Sequence, residues 1–113
     1  MPAAWGAGTV TFTYIWYALG VTTNSVVWGG AAQCYTADTT ILTSAHTANS
    51  ALAEVTDAHI NTASLVQSVT SPAITVKNAG AGRWTSVRVY RLGSGADNLA
   101  VTASLLGVIV TYT

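Results

Sequence analysis

Apolar and polar residues alternate along much of this chain, and the clearest alternation lies between residues 9 and 17. One face of that segment carries four large apolar side chains, those of Val10, Phe12, Tyr14 and Trp16. The opposite face begins with threonines and then becomes apolar at Ile15, Tyr17 and Leu19. A period of two is typical of a β-strand with one face against a core. We therefore predict a strand here that is covered on both faces towards its end.

Short segments of strand-like composition recur through the rest of the chain. They are residues 26–35, 51–55, 63–69, 73–77, 84–92, 99–103 and 105–112. Turn-forming residues separate several of them, most clearly at 78–82 and 93–96, where glycines can supply the positive φ of tight turns. About eight short strands without a convincing amphipathic helix predict an all-β fold, which could be an antiparallel β-sandwich or a jelly roll.

The chain reads as a single domain over residues 1–113. Residues 1–8 precede the first strand and include Gly6 and Gly8, so we expect them to form an extended, pliable N-terminal arm. Within the second predicted strand, the pair Gly29 and Gly30 indicates either a bulge or a close backbone approach.

Charged residues are rare in this sequence. They make up 7% of the chain, the net charge is zero, and no charged residue precedes Asp38, whereas about 25% is ordinary for a globular domain. A neutral surface does little to keep copies of a protein apart. The composition therefore predicts that partners cover much of the surface. Because the sequence contains no apolar stretch of about 18 residues, we expect no membrane partner.

Few residues could carry catalysis or bind a metal. Cys34 is the one cysteine in the sequence, and we expect it to be a small buried side chain. Asp57 and His59 would share a face of an extended segment near Glu54, but their spacing matches no established metal motif, and a solvated loop is the competing interpretation. No serine lies in a G-x-S-x-G elbow. We therefore expect no enzyme activity, no cofactor and no metal site.

Four basic residues lie close together in the sequence, at Lys77, Arg83, Arg88 and Arg91. Binding of nucleic acid relies on a basic surface, and this chain is neutral overall, so we expect no nucleic-acid partner. Arg91 is followed by a glycine-rich turn and Asp97. This spacing suggests a charge-assisted hydrogen bond that braces the hairpin, and the alternative is a solvated pair that contributes about 0–1 kcal/mol.

The aromatic residues allow two interpretations. The four tryptophans could stack sugar rings in a glycan-binding groove, or they could be anchors of the core and of subunit interfaces. We favour the second interpretation, because strand alternation already gives most of them a packing role. The candidate partner interface comprises Trp5, Trp16, Tyr17, Trp28 and Trp84.

Parts of the sequence resemble a known family, the small β-sandwich modules found in virion proteins of tailed bacteriophages. The resemblance is carried by residues 5–12 with Trp16, by 26–29, by 89–91, by 97–99 and by 103–112. It leaves residues 36–71 largely unmatched. The closing segment, ASLLGVIVTY, is the most specific of these matches.

The resemblance implies a structural role in a virus particle. Modules of this kind occur as free-standing capsid decoration or cement proteins, which stabilise the phage shell by bridging its subunits. The implied partners are the major capsid protein and other copies of this chain, with a trimer as the working guess, and the implied location is the capsid surface of the virion. The alternative is a carbohydrate- or receptor-binding module of a phage tail or fibre.

Overall fold

The computed structural model describes residues 8–35, 53–76, 79–80, 82–93 and 95–112, and these residues form an all-β fold without a helix. Seven strands occur in them, and they are β1 (Thr9–Ala18), β2 (Ser25–Tyr35), β3 (Ala53–Ala58), β4 (Gln67–Thr70), β5 (Ile74–Thr75), β6 (Trp84–Arg91) and β7 (Ala103–Tyr112). Every pairing between the described strands is antiparallel. The described part of the chain contains no helix that is long and apolar enough to cross a membrane.

The first sheet, called sheet 1, is built around β1. Tyr14 pairs with Val69 of β4 and also with Val108 of β7, so β4 and β7 lie on opposite edges of β1. Strand β5 continues the β4 edge, because Val10 pairs with both Ile74 and Tyr112. The pairing with β7 shifts between Ile15 and Trp16, and the extra residue of this β-bulge is Leu106.

The break between β4 and β5 is held by a side chain. Ser71 donates its backbone N–H to the carbonyl of Phe12 at 2.8 Å, and the N–H of Phe12 donates to Ser71 Oγ at 3.0 Å. Pro72 follows, and proline has no N–H with which to continue a ladder. The two short strands therefore form one edge of sheet 1 that is interrupted at residues 71–73.

The second sheet, sheet 2, has β2 at its centre between β3 and β6. The registers are continuous through Gly29 and Gly30, which pair with Glu54 and Ala53 on one side and with Tyr90 and Val89 on the other. The glycines therefore mark no bulge. A Cβ on Gly30 would lie 2.5 Å from the Phe12 ring, so the group that approaches this glycine closely is an aromatic side chain and not a backbone segment.

The core lies between β1 and β2, and alternation decides which residues enter it. Every second residue of β1 is buried, as the sequence predicts, whereas residues 26–34 of β2 are buried on both faces of the strand. Trp28 stacks on Tyr14 with ring centroids 6.0 Å apart and meets Trp16 edge-on at 6.2 Å. Each such side chain contributes about 1.5–3 kcal/mol through burial. Cys34 is also buried here, with its thiol free.

The packing of two antiparallel sheets makes the protein a β-sandwich. Most predicted strands are present within a few residues of their expected bounds. The strand predicted at 99–103 is wrong, because residues 99–102 connect the two sheets and Leu99 donates its N–H to the carbonyl of Ser25. The strand predicted at 63–69 starts too early, since Asn61 and Ser64 take positive φ in a turn. Residues 1–7 of the predicted arm lie outside the described residues.

Candidate interaction surface

The outward face of sheet 1 carries hydroxyl and aliphatic side chains and no charge. The register places twelve residues on it, which are Thr9, Thr11, Thr13, Ile15, Tyr17, Ser68, Thr70, Thr75, Ser104, Gly107, Ile109 and Thr111. We call these residues the threonine face. Thr13 and Thr70 share a hydrogen bond of 2.8 Å between their hydroxyls across β1 and β4.

The alternation in the sequence identifies only some of the residues on the threonine face. The threonines at 9, 11 and 13 are visible as a period-two row, and the sequence predicts that they share a face. Thr70, Thr75 and Thr111 join them because of the strand register, which the sequence does not state. Tyr17, predicted as an interface residue, lies on this face and is partly exposed.

The outward face of sheet 2 has a different character, because charged side chains are built into it. The ring of Tyr90 lies over Gly29, where any Cβ would collide with it. Its hydroxyl donates to Glu54 Oε1 at 2.8 Å, and the Arg88 guanidinium sits 4.8 Å from its ring centroid. Partial burial, followed by the hydrogen bond to Glu54, raises the pKa of Tyr90. The outward face of sheet 2 therefore carries charged side chains, whereas the outward face of sheet 1 carries none.

The structure brings Arg91 and Asp97 together in a two-pronged ion pair. Arg91 donates from Nε to Asp97 Oδ2 and from a terminal nitrogen to Oδ1, each at 2.9 Å. The same terminal nitrogen donates to the carbonyl of Leu99 at 2.7 Å. The backbone N–H groups of Val27 and Gly93 also donate to Asp97. Since the Asp97 side chain is 1% exposed, this is a buried junction, and not the solvated pair of the alternative interpretation.

Electrostatics at this junction favour the ionised carboxylate. The hydrogen bond from Arg91 is the main cause that lowers the pKa of Asp97 to about 2, with the N–H groups of Val27 and Gly93 adding to it and burial opposing it. The hydrogen bond to Asp97 in turn raises the pKa of Arg91. The neighbouring Asn98 accepts the N–H of Ser25 at 2.8 Å, so the connection from β6 to β7 is fastened to the start of β2.

The predicted interface tryptophans separate into two groups. Trp16 and Trp28 are core residues, 0% and 4% exposed, so within this fold they are not available to a partner; they take the core role that the sequence left open to them. Trp84 is 71% exposed on β6 and remains available for contact. Trp5 lies outside the described residues.

The candidate metal ligands, which are two carboxylates and one histidine, have other partners in the structure. Asp57 accepts the indole N–H of Trp16 at 3.0 Å and the side-chain amide of Gln67 at 2.9 Å. His59 is buried, and its Nδ1 lies 2.8 Å from the carbonyl oxygen of Thr22, which can only accept. Glu54 points to the opposite face of β3. Among the described residues, no group of three potential metal ligands occurs.

Comparison with known proteins found no family model that matches the sequence, no matching curated protein and no matching solved structure. The assignment of a role therefore depends on the residues and surfaces described above.

Proposed function

We propose that this chain is a non-enzymatic structural protein of a phage virion, a capsid decoration or cement protein, and that its threonine face meets the major capsid protein. The proposal draws on the resemblance of the sequence to virion modules. The observation that carries it is the absence of charge from the threonine face, across all strands that the structure describes in sheet 1.

An uncharged, hydroxyl-rich face suits a contact surface. Covering a charged group without a partner is costly, because the ion loses its hydration. Threonine methyl groups gain from burial, and each hydroxyl can both donate and accept a hydrogen bond. A shell protein can thus cover this face without having to match a pattern of ions.

The dimensions of the face fit a modest contact that is repeated many times. A strand of ten residues is about 34 Å long, and three strands are about 14 Å wide, which gives roughly 480 Å². A standard interface buries about 800 Å² on each partner. A single contact of this size is weak, and many copies on a lattice would together resist the rupture of the shell.

The rival function is carbohydrate or receptor binding by a tail or fibre module. Trp84 is the residue in the described chain that best suits the stacking of a sugar ring. A sugar groove usually brings several aromatic and polar groups together, and the burial of Trp16 and Trp28 removes two of the candidates. For this reason we place shell binding first.

The test measures how well variants bind virus particles that lack this protein. Thr11→Lys places a charge in the middle of the threonine face, and the matched control Thr56→Lys makes the same change on the outward face of sheet 2, where Thr56 is exposed. We expect Thr11→Lys to lower occupancy at least tenfold, about 1.4 kcal/mol, and to make particles release their genome at lower temperature. The control should behave as the wild type.

Two results would contradict the proposal. Equal binding by both variants would show that the threonine face does not meet the shell. Particles without the protein that keep normal heat stability but fail to adsorb to cells would establish the receptor-binding function in its place, and Trp84→Ala should then reproduce the adsorption defect.

A further inference from the structure

Two connections at one end of the sandwich expose large aliphatic side chains. They are residues 19–24, between β1 and β2, and residues 59–66, between β3 and β4. Five side chains in them are between 46% and 67% exposed. We call these five residues the apolar end, and they are Leu19, Val21, Ile60, Leu65 and Val66. Single exposed apolar residues are ordinary on a protein surface, whereas a group of them marks a contact surface.

Hydrogen bonds fasten the two connections to each other and to β1. Ser64 donates its N–H to the carbonyl of Ala18, the last residue of β1, at 2.8 Å. His59 donates its N–H to the carbonyl of Asn24 at 3.0 Å, and its Nδ1 donates to the carbonyl of Thr22 at 2.8 Å. The two connections therefore lie side by side, and their aliphatic side chains share one end of the sandwich.

The backbone of the second connection is held in an uncommon conformation. Asn61 and Ser64 both take a φ of 61°, which residues other than glycine rarely adopt. Such conformations persist where the surrounding structure fixes them, and they are frequent at binding sites. A surface that is already fixed loses less conformational freedom when a partner covers it. The apolar end is therefore suited to binding.

No charged side chain interrupts this surface within the two connections, all of whose residues the structure describes. Residues 19–24 and 59–66 contain no Asp, Glu, Lys or Arg, and His59 is 2% exposed. A partner can therefore cover the apolar end without removing water from an ion. The apolar end shares this property with the threonine face.

The apolar end begins where the threonine face ends. Leu19 directly follows β1, and Val66 directly precedes β4, and both strands carry the threonine face. Tyr17, on that face, lies two residues before Leu19. The rows of hydroxyl side chains thus lead into aliphatic ones, and the two surfaces adjoin without an intervening charge.

The threonine face alone is small for a specific contact. It offers roughly 480 Å², whereas each partner buries about 800 Å² in a standard interface. The apolar end supplies adjoining surface of the kind found at the centre of interfaces, which is poor in charge and rich in apolar groups. A partner that covers both surfaces would come closer to the standard area.

We propose that the apolar end is part of the shell contact and seats in an aliphatic depression of the major capsid protein, beside the surface that receives the threonine face. The inference rests on the proposed function and adds to it the orientation of the bound protein, because residues 19–24 and 59–66 then point towards the shell. Tyr17 lies where the two surfaces meet, and tyrosine is a common anchor of protein interfaces.

A lipid surface and a second copy fit these observations less well. Segments that bind membranes usually carry Lys or Arg beside their apolar residues and Trp or Tyr at the boundary, and residues 19–24 and 59–66 contain none of these. A second copy that bound through the apolar end alone would leave the adjoining threonine face uncovered, whereas one shell partner covers both.

The test measures the occupancy of variants on virus particles that lack this protein, with Thr11→Lys measured alongside. Val21→Asp changes the most exposed side chain of the apolar end, and the matched control Val87→Asp makes the same change at a valine of β6 that is 48% exposed. We expect Val21→Asp to lower occupancy at least tenfold and Val87→Asp to change it by less than about threefold. Val66→Thr keeps the side-chain shape and adds a hydroxyl, so it should retain the wild-type melting temperature and still lower occupancy.

The outcomes separate this inference from the proposed function. Normal occupancy of Val21→Asp and Val66→Thr beside a loss in Thr11→Lys would overturn the inference and leave shell binding by the threonine face standing. Normal occupancy of all three would overturn both. The other occupants are tested with neutral phosphatidylcholine vesicles and by sedimentation equilibrium of the isolated protein. Vesicle binding or self-association that Val21→Asp abolishes would make lipid or a second copy the occupant, and would overturn the inference.

Discussion

The indole N–H of Trp16 donates to Asp57 Oδ2 at 3.0 Å, and this bond joins β1 of one sheet to β3 of the other. Gln67 of β4 donates to the same oxygen at 2.9 Å. Three strands therefore meet at one carboxylate near the edge of the core. The polar end of the largest buried side chain is satisfied in this way, which is a common requirement for tryptophan in a core.

Removing this carboxylate should destabilise the sandwich. In Asp57→Ala the Trp16 N–H and the Gln67 amide lose their acceptor, and an unsatisfied buried donor costs about 1–3 kcal/mol. We expect the free energy of unfolding to fall by that amount in urea titrations followed by tryptophan fluorescence. The neighbouring Thr56→Ala, at an exposed position of the same strand, should stay within about 0.5 kcal/mol of wild type. Equal stability of the two variants would mean that the bond contributes nothing.

Arg91 and Asp97 should show strong thermodynamic coupling. Each single alanine variant leaves hydrogen-bonding groups of the other residue unpaired at a junction where the Arg91 side chain is 29% exposed, so either should cost about 1–3 kcal/mol. The double variant should cost less than the sum of the two, with a coupling energy within the range of about 0.5–3 kcal/mol for contacting residues. Additive losses in the double-mutant cycle would show that the two residues act independently.

The same pair should make stability depend on pH. The pKa of Asp97 is lowered from 3.8 to about 2 in the folded protein, so the stabilisation is complete above about pH 5 and is lost as the pH falls towards about 2. A shift of this size corresponds to about 2 kcal/mol. We expect urea titrations at a series of pH values to show this loss in the wild type and to lack it in Asp97→Asn. An identical acid loss in the variant would assign it to other groups.

Tyr14 offers a change that should increase stability. Its hydroxyl is buried without a hydrogen-bond partner among the described residues, and burial raises its pKa above the ordinary value. Tyr14→Phe removes the unsatisfied group and keeps the ring that stacks on Trp28. We expect a gain of up to about 1 kcal/mol. Tyr90→Phe, which deletes a hydroxyl bonded to Glu54, should lower stability, and a loss in both variants would contradict this account of Tyr14.

Glycine at position 30 should be required for sheet packing. A Cβ there would lie 2.5 Å from the Phe12 ring and 2.6 Å from the Tyr14 hydroxyl, and forcing extra volume into a packed core costs about 1–3 kcal/mol. Gly30→Ala should lower the melting temperature accordingly. Gly107→Ala is the control, because a Cβ on Gly107 of β7 meets no atom within 4 Å. If the two variants had the same melting temperature, the two sheets would be less closely packed at Gly30 than described.

The sequence predicts the fold class well because its strongest signal is local. Alternation in β1 separates Phe12 and Trp16 from the threonines without knowledge of any partner strand, and the short span from Arg91 to Asp97 allows their pairing to be anticipated. The roles of the tryptophans depend on distant parts of the chain. Trp16 enters the core because sheet 2 covers it, whereas Trp84 stays exposed on an edge strand. The threonine face likewise depends on register between strands far apart in sequence.

The pairing of β1 with β7 also determines the order in which the fold can be completed. Val10 of the first strand pairs with Tyr112 of the last, so this ladder forms only after the two ends of the described chain have met. Contacts between residues so distant in sequence slow folding. The intervening chain must lose conformational entropy before the contact can contribute favourable free energy. Until then, the aromatic face of β1 can pack on sheet 2, but the edge of β1 that pairs with β7 has no neighbouring strand. Until the ladder forms, the edge of β1 that receives β7 stays open to pairing with another strand.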